Sequence, residues 1–588
     1  MLTLTNLAAL LLCVTVIVTA SADTFELDAG FDDLVAQLLN LFRVPGLSLA
    51  VIKDGKITSK GYGYASFPNT PATPDTLWYT ASTTKAFVAA AAGLLVEDDS
   101  YPQFGWSTPV SDLMPGDFAL TEDYQTTHTT LEDALSHRSG LPRHDVSYGW
   151  DNATTLDAVK RMRYLPLTAE PRTRWQYSNL MYGTVGALLE QNVGLRVGDI
   201  LAEWIWKPLG MDSTTFDTDK AIASGNLATG YHWSVEEGYY VPEPLFDVIP
   251  IAGAGATISS MNDYALWAKT LLATANGELN DTNPISNKLL NQLWTPRSIV
   301  NLGMVETNDP FPIAYALGWM TLRIGEHVVI THSGGVPGFG TQVFLVPALR
   351  LGFVSAGNNM NGAAGVGATL FLSLLKKKKL ELASMEDADF EQMLGQLPPI
   401  SAIAPEKRQI SEDTAASQGQ VLPLPGCPKS YIGLYDHPAY GTYNVSLLAS
   451  DHKLALSGAS PVQAPLNTAE SVRFLVQPSE RTIPSAFILR HTTNAFFSAD
   501  FYWVHGPTPG NDRVTCERRQ KSVKMSQRSL ECKDEAVWEK LANDRAVFEF
   551  GPDGKVEKLG MELELEQVRF AMESGDWRKG MIWFTKRL

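Results

Sequence analysis

The first regular pattern of apolar positions lies between Phe25 and Phe42. Phe31, Leu34, Val35, Leu38 and Leu41 recur there at helical spacing, and Pro45-Gly46 closes the segment. The period then shortens. Leu47–Ile52 and Ile57–Tyr64 flank Lys53-Asp54-Gly55-Lys56, and an Asp-Gly turn between two such runs predicts a β-hairpin. From Ser82 to Leu290 the patterning is mainly helical, and Ala86–Val96 is apolar nearly all round, which predicts a buried helix. Strand-like runs return at Tyr315–Leu322, His327–Thr331, Thr341–Val346 and Leu351–Ser355. Strands at both ends of a helical middle predict an α+β fold, an antiparallel sheet flanked by helices, closed by both ends of the domain and carrying a helical insert. Gly362–Leu375 is apolar and ends in Lys376–Lys379. It is shorter than the roughly 20 residues of a membrane span, so it predicts a buried helix with a solvated basic end and no stable membrane insertion.

Beyond residue 380 the character changes. Acidic residues, Pro398-Pro399, Pro405 and Leu422-Pro-Leu-Pro-Gly426 predict a linker over 381–425. Residues 426–588 carry mostly strand signals: Tyr443–Leu448, Leu454–Leu456, Phe474–Val476, Phe487–Arg490 and Phe497–Val504, then a final hairpin of Val547–Phe550 and Val556–Leu559 around Gly551-Pro-Asp-Gly554. They predict a separate, antiparallel, barrel-like β domain. At the other end, the apolar run Leu7–Val18 followed by Ala20-Ser21-Ala22 predicts a signal peptide over 1–22 and an extracellular, secreted protein, with residues 23–380 as the main domain.

Composition narrows the function. A formal net charge of −17 over 588 residues makes a poor partner for phosphate backbones, so nucleic-acid binding is not expected. Cys427, Cys516 and Cys532 remain after the signal, which permits one bridge of undetermined pairing, and no cluster of Cys and His predicts a metal site. Asn152, Asn280 and Asn444 head glycosylation sequons, compatible with a glycoprotein. No cofactor is implied, since the glycines around Gly253 and Gly255 lack the Lys-Ser/Thr of a phosphate loop.

Three short motifs carry candidate chemistry. Ser82-Thr83-Thr84-Lys85 opens the buried helix, so Lys85 shares a helix face with Ser82, and desolvation there would leave an amine able to take the serine proton. The same tetrapeptide pattern recurs at Ser373 and Ser450 without that context. Tyr177-Ser178-Asn179 precedes a second helical run and offers a phenol for proton sharing and an amide for orienting a substrate. His332-Ser333-Gly334-Gly335 ends a strand whose glycines would let a substrate lie along the edge.

The order of these motifs resembles that of serine β-lactamases, DD-peptidases and related esterases, closest to the class C branch in using Tyr-x-Asn. Val44–Val51, Thr130–Pro142 and Ala252–Ser260 are also similar to that family. The resemblance implies Ser82 as nucleophile, Lys85 and Tyr177 as proton carriers, Asn179, His332, Gly334 and Gly335 at the substrate, and an oxyanion hole from the Ser82 and Gly335 N–H groups. His332 stands where penicillin-recognising members carry lysine. A mostly neutral imidazole offers no fixed charge to a carboxylate, so the expectation is a small-molecule or peptide-like ester or amide substrate. An acyltransferase with the same nucleophile and a non-catalytic binding protein are the alternatives. Tyr431–Tyr435 with His437-Pro438 resembles an appended lipocalin-like β domain.

Overall fold

The computed structural model describes residues 27–587 apart from 149–152, 236–237, 246–247, 279–281, 301–311, 378–422, 449–471, 479–484 and 506–536. The expected signal peptide, Asn152, Asn280, Cys516, Cys532, Leu454–Leu456 and most of the expected linker lie outside the described residues.

Helix α1 (Ala29–Leu41) leads into β1 (Gly46–Lys53) and β2 (Lys56–Ser66). The Asp28 carboxylate caps α1 by accepting the Phe31 N–H at 2.9 Å. The anticipated hairpin forms, with Asp54 and Gly55 both at positive φ in its turn. From the far end of the domain come β3 (Met320–Ile324), β4 (His327–Val336), β5 (Phe339–Val346) and β6 (Leu351–Gly357). All pairings are antiparallel, and β1 sits between β2 and β6, so the two ends of the domain meet at the sheet centre.

Alternation along the strands divides the core. Leu47, Leu49, Val51, Phe344 and Phe353 pack against α1 and the helix Met360–Lys377. Ala50, Ile52, Val343, Leu345 and Val354 face the helical insert. Because helices cover both faces, β1 is buried almost throughout. The basic-ended apolar run thus forms the expected buried helix, and no described helix is long and apolar enough to cross a membrane.

The anticipated strand over Tyr315–Leu322 is split into Ala314–Tyr315 and β3. Gly318, at φ 78°, turns the chain between them. A Cβ there would lie 2.7 Å from the Lys85 carbonyl oxygen, so a tight turn against the neighbouring helix replaces a continuous strand.

The C-terminal unit is a closed barrel of eight antiparallel strands. Tyr435, Tyr443, Phe474, Phe497, Phe548 and Phe584 are buried and in ring contact with one another or with Tyr431. Eight strands enclose about enough room for side chains, and these aromatics occupy it. The predicted final hairpin is present as the strands Val537–Phe550 and Val556–Met561. A helix, Leu565–Ser574, follows it and was not legible as strand pattern.

Candidate active site

The first motif does not simply begin a helix. Ala81–Thr83 form one 3-10 turn, and the buried α-helix starts at Thr84 and runs to Glu97. The two threonines of the motif fix this turn. The Thr83 hydroxyl donates to the Thr80 carbonyl at 2.8 Å, and the Thr84 hydroxyl donates to the Ala81 carbonyl at 2.6 Å. Ala81 itself is held at φ 49°, a left-handed conformation that a residue with a Cβ keeps only under constraint. Ser82 is thereby left partly open to solvent while Lys85 is fully buried.

Lys85 Nζ has three partners: Ser82 Oγ at 3.2 Å, Asn179 Oδ1 at 2.9 Å and the Ala254 carbonyl at 2.8 Å. Burial, and then the charge of Arg143, hold its pKa well below the ordinary 10.5, with Asp145 opposing. A neutral amine has two N–H donors and one lone pair. In that neutral form the amide and carbonyl oxygens, which can only accept, would take the two N–H groups and leave the lone pair for the serine hydroxyl.

Tyr177 also bonds to Ser82, and its ring lies 4.8 Å from Lys85 Nζ. Burial raises its phenol to about 12 despite Ser82 and Arg143, so it is protonated at neutral pH. His137 packs against the Tyr177 ring at 4.3 Å and accepts the Ser178 N–H at 3.1 Å, fixing the segment that presents the phenol.

Asn179 is engaged inside the protein at both ends of its amide. Oδ1 takes the Lys85 amine, and Nδ2 donates to Asp145 Oδ1 and to the Tyr148 hydroxyl, each at 3.1 Å. His332 is 2% exposed. Its Nε2 meets the Tyr315 hydroxyl at 3.0 Å and its Nδ1 meets the Ser333 carbonyl at 2.6 Å. Burial first, then Lys85, lowers its pKa to about 3, so the ring is neutral.

Gly334 supplies the close approach that joins β4 to the Ser82 turn. A Cβ there would stand 2.1 Å from the Thr80 carbonyl oxygen. Gly334→Ala is therefore expected to push β4 away from Ser82, costing about 1–3 kcal/mol of stability. Thermal unfolding and kcat measured together check this, since both should fall. Gly335 is exposed beside it. On this stretch β4 keeps the β5 ladder as far as Val336, whereas its β3 ladder ends at Thr331.

The sequence motifs thus converge, except that the His332 side chain is tucked behind the strand. Arg143, Asp145 and Tyr148 were not picked out, although they follow directly on the flagged segment ending at Pro142. Arg143 pairs with Asp145 at 2.7 Å and lies 4.9 Å from the Tyr177 ring centroid. Their signal was a charged pair in an otherwise small and apolar loop. Among the described residues no group of His, Cys, Asp or Glu is arranged to hold a metal.

The beta-lactamase family model matches residues 31–375. The chain belongs to the beta-lactamase family. Among relatives of this beta-lactamase-family protein, the unguisins hydrolase of Aspergillus campestris is 38% identical, over 79% of this chain and 87% of that one. The D-aminopeptidase of Gluconobacter oxydans is 24% identical, over 60% and 63%. In structure, an octameric penicillin-binding protein homologue from Pyrococcus abyssi superposes with TM-score 0.51 at 18% identity, covering 91% of this chain and 98% of that one, a likeness of fold. Family membership and relatives named as hydrolases support a hydrolase.

Proposed function

We propose that this protein is a secreted serine hydrolase that cleaves an amide or ester bond of a peptide-like substrate through an acyl-enzyme on Ser82. The observation that carries the proposal is the buried Lys85 amine, its pKa pushed down by burial, 3.2 Å from a partly open serine hydroxyl.

In the acylation step, Lys85 Nζ takes the Ser82 proton as Oγ bonds to the acyl carbon. Tyr177, still protonated and bonded to Ser82, passes a proton to the leaving nitrogen or oxygen and is reprotonated from Lys85. The N–H groups of Ser82 and Gly335 face the developing oxyanion. Water then reverses the path: it loses a proton to the same pair, attacks the acyl carbon and releases the acid and free Ser82. The names of the relatives, an unguisins hydrolase and a D-aminopeptidase, favour amide bonds as the natural target.

The test is to mix the enzyme with a short-chain p-nitrophenyl ester, quench, digest and weigh the peptides. An acyl mass gain confined to the peptide containing Ser82 is the expected result. Turnover accompanied by an acyl group on another residue, or no adduct over several acyl lengths and no turnover, would remove the assignment.

A further inference from the structure

Among the described residues, the buried His144 of the catalytic unit bonds to the barrel unit through both its backbone and its ring. Its backbone N–H donates to Glu564 Oε2 at 2.7 Å, and its ring Nδ1 meets the Tyr440 hydroxyl at 2.6 Å. Its Nε2 faces the Pro166 carbonyl at 2.9 Å. A carbonyl only accepts, so Nε2 carries the proton and Tyr440 donates to Nδ1. Burial keeps this ring neutral, with its pKa lowered to about 4. The His144 backbone lies at φ 47° and ψ 36°, a left-handed conformation that a side-chain-bearing residue holds when its surroundings impose it.

What the clamp holds is the loop next to the catalytic lysine. Asp145 Oδ1 accepts the Tyr148 hydroxyl at 2.8 Å and the Asn179 amide at 3.1 Å. The other end of that amide takes the Lys85 amine at 2.9 Å. A continuous set of hydrogen bonds and one short stretch of backbone therefore runs from the barrel to the proton carrier.

We propose that Glu564 is a positioning residue for the Ser82–Lys85 pair: its carboxylate clamps residues 143–148 in the turn at His144 and so sets the Asn179 amide that orients Lys85. The inference deepens the serine-hydrolase reading and rests on it. The other carboxylate oxygen, Oε1, accepts the Glu566 N–H at 3.2 Å and caps the helix Leu565–Ser574, so one buried carboxyl group ties the start of that helix to the His144 turn. Glu564 is 6% exposed, and that burial raises its pKa to about 7, with the His144 N–H opposing and Asp145 adding to the rise. Farther out, the exposed Arg174–Glu573 ion pair at 2.8 Å also joins the two units, without a path to Lys85, and serves as the control.

The experiment compares full-length wild type with Glu564→Ala, Glu564→Gln, Tyr440→Phe and Glu573→Gln on a p-nitrophenyl ester. Thermal unfolding, kcat, KM and the pH profile of kcat/KM are read for each. Glu564→Ala is expected to lower kcat about tenfold or more with little change in KM, because Lys85 loses its alignment. Its acid limb should move up by about one pH unit, as water entering beside Lys85 relieves the desolvation that lowers its pKa. Glu564→Gln, whose amide oxygen still accepts the His144 N–H, should recover part of the loss. Tyr440→Phe should move the same readouts less, and Glu573→Gln should leave them unchanged. Wild-type kcat and an unmoved pH profile in folded Glu564→Ala would overturn the proposal. If that variant does not fold, the same result in folded Glu564→Leu, which keeps no acceptor for the His144 N–H, would overturn it. Failure of wild type itself to show Ser82-dependent turnover would overturn the hydrolase reading, and the clamp with it.

Discussion

Replacing Ser82 by alanine is expected to lower kcat for ester hydrolysis by on the order of 10⁴–10⁶-fold, to the background rate, with almost no effect on folding. No other side chain can take over: the phenol beside it is protonated, with its pKa raised to about 12, and the amine behind it is directed at the serine. The fold should tolerate the change because Ser82 is partly exposed, and Lys85 keeps Asn179 and the Ala254 carbonyl as partners. Substitutions that leave no buried group unpaired usually cost less than about 0.5 kcal/mol. Steady-state kinetics paired with a melting curve check both halves. Retained turnover in a folded Ser82→Ala protein would refute the nucleophile.

Lys85→Met is expected to act on both activity and stability. Removing a positioned proton carrier should reduce kcat by about 10²–10⁴-fold. The substitution also leaves Asn179 Oδ1 and the Ala254 carbonyl without their donor in a dry site, each costing about 1–3 kcal/mol, offset in part by better burial of an apolar chain. The pH dependence has a definite sign. Lys85 is held below its ordinary 10.5 by burial, so the unfolded chain binds more protons than the native one between the lowered value and 10.5. Wild-type stability relative to Lys85→Met should therefore rise with pH through that window, by at most about 1.4 kcal/mol per pH unit. Activity has the matching sense: it is present where the amine is neutral and is lost as pH falls through the lowered pKa. Urea unfolding of both proteins at several pH values measures the slope, and a gap independent of pH would mean that Lys85 is charged in the native state.

The sequence carried the site further than it carried the environment of the site. Ser82, Lys85, Tyr177 and Asn179 could be picked out because the order of their motifs resembles that of a known family, and for Ser82 and Lys85 the spacing of three at a helix start also fixes which side chains meet. That geometry is local. The partners that complete the site are not. Ala254 comes from the one-turn helix Ala252–Gly255, Asp145 from a turn with a left-handed histidine, and Glu564 from another folding unit. Short, largely apolar runs marked β1, β4, β5 and β6 as strands, yet the order that places β1 beside β6 rests on pairing across the domain. Tyr315–Leu322 read as one strand because its residues favour extension, and the turn at Gly318 follows from its neighbour, the buried lysine helix. The His332 motif located the right strand. The direction of the imidazole was decided by Tyr315, a residue with no motif of its own.

The central position of β1 also governs how the chain must assemble. Its hairpin partner β2 is available at once, but its other neighbour, β6, is among the last strands of the domain to be made. The whole helical insert intervenes, so the contact order of the sheet is high and its closure is slow. During synthesis the free edge of β1, with Leu47, Leu49, Val51 and Ile52 bare, is an adhesive strand waiting for its partner. Ser82, made early, likewise has its strand neighbour Gly334 only when β4 is added near the end of the same domain.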